Sequence, residues 1–302
     1  MTAEEIVFDG LTGLIAWPET PGPHPGVVIV HGSGAVDRFG AEGTLRPIIG
    51  HFAAAGYAVL SSDKPGHWET QTFDDRAAET VAACRFLAAH PRVDARRVGL
   101  WGISQGGWIG PMAASAAPDE IAFAILVSAS PITPYEQAAH QIGGELRAAG
   151  RTEDEVGAAL GLLAERTALL ADGVPGARIL AGEPPELALL PWYPHVATTA
   201  EELDFIRPIW HFDVLPHLAA LRCPLLAIWG ALDPHMPAAR CAAITAAALA
   251  DGGGADFTLQ VVPGAGHRLR DSRGDLAAGY LDGMTSWLGR VVHDPITIGA
   301  PS

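Results

Sequence analysis

Ser104 lies in Gly102-Ile103-Ser104-Gln105-Gly106, with a further Gly107, and no other segment of the chain is better suited to nucleophilic chemistry. It follows the apolar run Arg97-Val98-Gly99-Leu100-Trp101 and precedes small residues that can open a helix. A serine on a sharp strand-to-helix turn presents its hydroxyl away from its own backbone, and glycines suit flanks with no room for a Cβ. Glycine is abundant, 35 of 302 residues, so the pentapeptide gains its weight from the strand before it and the helix after it. A neutral alcohol is a weak nucleophile. It needs a base within reach, and the base needs an acid to orient it.

Two downstream segments offer these groups. Pro224-Leu225-Leu226-Ala227-Ile228-Trp229-Gly230 reads as a strand and runs into Ala231-Leu232-Asp233-Pro234. Thr258-Leu259-Gln260-Val261-Val262 reads as another and runs into Pro263-Gly264-Ala265-Gly266-His267. Asp233 and His267 therefore each follow a strand, at the edge where open parallel sheets place their sites. An Asp before Pro is otherwise a common turn former, and a histidine in a glycine-rich loop is commonly a surface residue. Asp213, Asp256, His235 and His293 are the nearest rivals.

Attack on an ester creates an oxyanion, which needs N–H donors already in place. The N–H of Gln105 is one candidate. The other is sought upstream, where the short strand Pro25-Gly26-Val27-Val28-Ile29-Val30 runs into His31-Gly32-Ser33-Gly34. There the Ser33 N–H is favoured, with Gly32 and Gly34 as alternatives. His31 is read as a structural hydrogen-bonding residue rather than a second base.

With these segments in hand, the chain resembles the α/β-hydrolase superfamily. The likeness rests on His31-Gly32-Ser33-Gly34, Gly102-Ile103-Ser104-Gln105-Gly106-Gly107, Trp229-Gly230-Ala231-Leu232-Asp233 and Pro263-Gly264-Ala265-Gly266-His267, which fall in the family's order over nearly the whole length. The order nucleophile, acid, histidine is the family's, and none of the rival residues has both that order and a strand-end position. The chain is most similar to bacterial serine esterases with a helical insert before the acid, near the dienelactone hydrolase and prolyl oligopeptidase-like branches. The dienelactone hydrolase nucleophile is a cysteine; the serine here favours ordinary ester chemistry. The resemblance implies an α/β-hydrolase fold, a doubly wound and mostly parallel sheet, with a helical cap inserted before the catalytic acid. It implies a serine hydrolase cleaving carboxylic esters through an acyl-enzyme. A thioesterase or small-peptide hydrolase would use the same parts, and a carbon–carbon or cyanohydrin lyase is a more distant relative. A ligand-binding protein on a retained fold is the alternative without catalysis.

Composition narrows the field. The formal net charge is −15, which disfavours nucleic acid and anionic membranes as partners and leaves a small ester or thioester as the expected one. No run of eighteen apolar residues is present, and the acidic start Met1-Thr2-Ala3-Glu4-Glu5 lacks a basic-then-apolar signal pattern. Cys84, Cys223 and Cys241 are widely spaced and odd in number, giving neither a disulfide framework nor a zinc spacing. A cytoplasmic location, no metal and no cofactor are the expectations. Nothing indicates an oligomer. Lys64 is the only lysine, so lysine-based chemistry is set aside.

Strand and helix signals alternate along the chain, as a doubly wound sheet requires. A hairpin turning at Asp9-Gly10 opens it. Helices are expected from Ile48 to Ala55 and over a stripe of Val81, Cys84, Leu87 and Ala88, the second capped by Asp74 or Asp75. Pro111 should kink or shorten the helix after Ser104. The alternation breaks between about Pro134 and Pro216. There Thr152-Glu153-Asp154-Glu155 is a capping box, followed by an irregular aromatic-rich stretch. The expected organisation is a hydrolase core over 1–134 and 217–302 with a helical cap over 135–216. Trp192, Tyr193 and Trp210 from the cap, with Trp108, are candidates to line a substrate pocket. Asp63-Lys64-Pro65-Gly66-His67-Trp68 follows a strand at the same edge and is read chiefly as a turn, with a place bordering the site as the alternative; Arg268, Arg270 and Arg273 are read as a solvated loop, with contact to a substrate carboxylate or phosphate as the alternative.

Overall fold

The computed structural model describes residues 2–253 and 256–293, with Glu69 and His293 described through the backbone alone. Its eight strands are β1 (Thr2–Phe8), β2 (Leu11–Trp17), β3 (His24–Val30), β4 (Ala58–Ser62), β5 (Val93–Ile103), β6 (Ala124–Val127), β7 (Leu225–Gly230) and β8 (Phe257–Val262). They form one sheet in the order β1-β2-β4-β3-β5-β6-β7-β8. β1 and β2 run antiparallel as a hairpin, β2 pairs antiparallel with β4, and every pairing from β4 to β8 is parallel. The hairpin turns on Asp9 and Gly10, both at positive φ (48° and 78°), the pairing a two-residue turn requires if its twist is to match the strands. Every residue of β3, β6 and β7 is buried, as expected of central strands covered on both faces.

The helices are α1 (Arg46–Ala54), α2 (Phe73–Ala88), α3 (Gly106–Ala116), α4 (Pro134–Ala148), α5 (Glu153–Ala171), α6 (Gly176–Ala181), α7 (Ala200–Ile206), α8 (Leu215–Ala219), α9 (Ala238–Gly252) and α10 (Tyr280–Leu288). One apolar cluster joins alternate strand residues such as Val27, Ile29, Trp101, Ile125 and Leu226 to Phe52 of α1 and Met284 and Trp287 of α10. The period-two strand pattern thus delivers one face of the sheet to these two helices.

Two local expectations change. Thr72, not Asp74 or Asp75, caps α2. Its hydroxyl accepts from the Asp75 N–H, while the Asp75 carboxylate accepts from the Thr72 N–H and hydroxyl. Asp75 is thus the N3 residue of a capping box, with the shorter Asp carboxylate in the place usually held by Glu or Gln. Pro111 does not end α3, which runs on to Ala116. The residue four before it is Gly107, and the helix is buried from Gly106 through Ala114. Close packing on both sides offsets the cost of one missing helical hydrogen bond, about 3 kcal/mol.

The described chain divides into two compact units. One comprises the residues up to Pro131, Val214–Asp233, and those from Ala238 on; the other comprises Ile132–Asp213 with Pro234–Pro237. The first holds the sheet. The second is helical, and its α4, α5 and α7 each begin with a threonine capping box, at Thr133, Thr152 and Thr199.

Candidate active site

Parallel pairing from β4 to β8 sets the C-terminal ends of those strands along one edge of the sheet. Ser104 directly follows β5 there, with a positive φ of 55° that is rare for a residue carrying a Cβ. The glycines around it are sterically required. A Cβ on Gly102 would lie 2.6 Å from the Gly106 carbonyl oxygen, and one on Gly106 or Gly107 would collide with the Val30 carbonyl or with Ala129. The Ser104 N–H is fixed by the Val127 carbonyl at 3.0 Å, which ties the turn to the end of β6.

His267 stands on the loop leaving β8. Its Nδ1 lies 2.8 Å from Asp233 Oδ2, on the loop leaving β7. A carboxylate can only accept, so Nδ1 is the donor in this bond, and the tautomer that makes it carries its lone pair at Nε2. The Asp233 side chain is fully buried and that of His267 is 19% exposed. The Ser128 hydroxyl donates to the His267 carbonyl at 2.7 Å. Ser104 and His267 are therefore anchored to adjacent residues, Val127 and Ser128. The Ser104 hydroxyl has no hydrogen-bond partner among the described residues, so its link to His267 is not closed in this structure. Such bonds commonly tighten only with substrate present.

The loop after β3 comes up beside the serine. An ideal Cβ on Gly32 would sit 3.4 Å from the Ser104 Cβ and 4.0 Å from its Oγ, so a larger residue there would crowd the hydroxyl. Among the described residues no protein group accepts from the N–H of Ser33 or of Gln105. His31 is buried and donates through Nε2 to the Ser62 carbonyl at 2.8 Å. Burial pushes its pKa down to about 4, which keeps it neutral and occupied, in a structural role.

A family model described as "Alpha/beta hydrolase family" matches residues 27–278, a span that contains the serine, aspartate, histidine and glycine loop. The chain belongs to this family. Solved structures agree in fold. An esterase of Pyrococcus furiosus superposes with a TM-score of 0.61 at 18% identity, covering 96% of this chain and 90% of that one. Est1E from Butyrivibrio proteoclasticus gives 0.60 at 17%, covering 97% and 98%. A curated human protein, acyl-coenzyme A thioesterase 1, is 30% identical over 163 residues, which is 51% of this chain. The chain spans about a third of that relative's length, since the match covers 33% of it.

The remaining candidate residues of this family member fall in two places. Trp108 lies in the first turn of α3, 5% exposed, stacked on Phe73 of α2 with ring centroids 5.5 Å apart. Trp192, Tyr193 and Trp210 belong to the helical unit. Trp192 is buried with Leu146, Val156 and Val196. The Tyr193 hydroxyl lies 3.4 Å from both Arg166 and Glu183. The Trp210 Nε1–H donates to the Thr167 hydroxyl at 2.8 Å. Among the described residues no group of three or more His, Cys, Asp or Glu is arranged to hold a metal ion, and no helix is long and apolar enough to cross a membrane.

Of two cations near this loop, sequence reasoning set Lys64 aside as chiefly a turn residue and passed over Arg76. Arg76 of α2 is buried; its Nη1 donates to the Gln105 Oε1, and its Nη2 lies 3.3 Å from the His31 carbonyl. Lys64 donates to the carbonyls of Gly32 at 2.6 Å and Gly34 at 2.8 Å. The available signals were a lone lysine just past a strand at the site's edge, and an arginine on the buried side of α2 one turn before Thr80.

Proposed function

We propose that the protein is a serine hydrolase of carboxylic esters, acting through an acyl-enzyme on Ser104 with Asp233 and His267 as the other members of a catalytic triad. The Asp233–His267 hydrogen bond carries this reading, because it leaves Nε2 as the ring's basic atom. On closure to hydrogen-bond distance, Nε2 takes the Ser104 proton as Oγ attacks the carbonyl carbon. The carbonyl oxygen becomes an oxyanion and accepts from the N–H of Ser33 and of Gln105, with Gly32 leaving room for its approach. His267 then gives its proton to the departing alcohol, and the acyl group stays on Ser104. In the second half His267 removes a proton from water, the hydroxide attacks the acyl carbon, and the proton returns to the serine. No metal or cofactor enters these steps.

A thioesterase reading draws support from the 30% identity to acyl-coenzyme A thioesterase 1 over half of the chain. The same residues would serve, with a thiol as leaving group. A series of nitrophenyl esters of increasing acyl length, run beside acyl-coenzyme A esters and anilides, separates the two. The ester reading expects turnover of short nitrophenyl esters to exceed that of every thioester and anilide. Preference for acyl-coenzyme A esters would move the assignment to the thioesterase. Absence of turnover on all of them would contradict both.

A further inference from the structure

Lys64 has no part in the steps above, yet its position bears on one of them. It follows β4 by two residues, at the edge where Ser104 stands. Its ammonium donates to the carbonyls of Gly32 and Gly34, which bracket Ser33. The Gly32 carbonyl and the Ser33 N–H belong to one peptide unit. A trans peptide is planar and holds its C=O and N–H in opposite directions, so whatever fixes the carbonyl fixes the N–H. Glycine on both sides of Ser33 makes rotation of this unit cheap in the absence of an anchor. Arg76 adds a second cation on the same side, at the His31 carbonyl. Three carbonyls of the loop thus face cations, and the N–H of Gly32 and of Ser33 point away from them. A cation on the carbonyl also polarises the amide and makes its N–H a better donor.

We infer that Lys64 is a positioning residue for the oxyanion hole: its ammonium holds the Gly32–Ser33 peptide in the one orientation that offers the Ser33 N–H to a substrate oxygen. This rests on the serine-hydrolase reading. Four charged or titratable groups surround the ammonium. Arg76 and Glu79 reach it from α2, the first opposing its charge and the second supporting it. His31, from the loop after β3, stays neutral, and Asp63 is committed to Arg38. The Lys64 ammonium also lies 5.3 Å from the centre of the Trp68 ring. Burial, and then Arg76, bring the Lys64 pKa down to about 7. Above that pH the amine loses the charge that strengthens both hydrogen bonds, so oxyanion stabilisation weakens on the alkaline side.

The test compares the unmutated protein with Lys64→Met and Lys64→Arg, using p-nitrophenyl acetate as substrate and an alkyl trifluoromethyl ketone as transition-state analogue. Lys64→Met should lower kcat by about ten- to a hundredfold, part of the loss seen when an oxyanion donor is removed outright, with KM within about twofold. Its affinity for the ketone should fall by the same factor as kcat/KM. Lys64→Arg should recover most of both and abolish the alkaline decline. An unchanged kcat in folded Lys64→Met, or a loss of kcat without matching loss of ketone affinity, would overturn the inference. If Lys64→Met does not fold, the ketone titration against pH decides. Affinity falling above about pH 7 in the unmutated protein and not in Lys64→Arg supports it, and superimposable profiles reject it. Failure of the underlying reading looks different: the unmutated protein would not bind the ketone, or Ser104→Ala would turn over at the unmutated rate.

Discussion

The sheet unit and the helical unit both bury polar groups, but they complete them differently. In the helical unit the buried Arg166 of α5 donates to both carboxylate oxygens of Glu183 and to the Val196 carbonyl. Thr167 beside it donates to Leu163 and accepts from the Trp210 indole. These hydrogen bonds close on one another. In the sheet unit Asp233, His31 and Arg76 are also paired, yet groups beside them are left open among the described residues: the Ser33 and Gln105 N–H and the Ser104 hydroxyl. A closed polar set supplies packing specificity. An open set, assembled at one edge of the sheet by closed partners behind it, is what a reacting oxygen would need.

The largest effect expected from this contrast is in Ser104→Ala. Turnover of p-nitrophenyl acetate should fall by about three or more powers of ten, as deletion of a nucleophile does elsewhere, with the melting temperature little changed. A loss under tenfold would break the contrast at its centre. Next comes Asp233→Asn. An amide can turn its NH2 toward Nδ1 and favour the wrong tautomer, so kcat should drop by about two or more powers of ten. Unchanged turnover there would mean that the Asp233–His267 bond serves packing alone.

Arg166→Met probes the closed side. Removing one partner strands the Glu183 carboxylate and should cost about 3–5 kcal/mol, read as a clear fall in the denaturant midpoint. A midpoint within error of the unmutated protein would show that the helical unit does not depend on this pair. The smallest effect concerns Asp63, which accepts from Arg38 and from Thr12 and sits well below the usual carboxylate range because Arg38 holds it ionised. Its folded pKa is depressed. The stabilisation is therefore present above the unfolded value of about 4 and is lost as pH falls through and below it. Asp63→Asn should lower the melting temperature slightly at pH 7 and flatten its decline between about pH 5 and 3. Parallel declines would remove Asp63 from the acid response.

Much of this was legible in the sequence because it depends on local chain geometry. A buried strand ending in Gly-x-Ser-x-Gly, another ending in Ala-Leu-Asp, and a third ending in a glycine loop with histidine place Ser104, Asp233 and His267 on loops leaving β5, β7 and β8. The structure has all three there. The capping box at Thr152 was readable for the same reason. What could not be read depends on packing between distant segments. Lys64 lies 30 residues from Gly34, and nothing in its neighbourhood says that its ammonium ends on that loop. Arg76 is spaced like a core residue of α2, which conceals a guanidinium aimed at Gln105. Thr72 was overlooked as a cap because two aspartates beside it looked better suited. Pro111 was expected to kink or shorten its helix, which is buried around it and runs on to Ala116.

The most direct test of the central claim is to treat the protein with a fluorophosphonate and locate the adduct by peptide mass spectrometry. The account predicts one phosphonylated residue, Ser104. A label on another residue, or no label on folded protein across the neutral range, would contradict it.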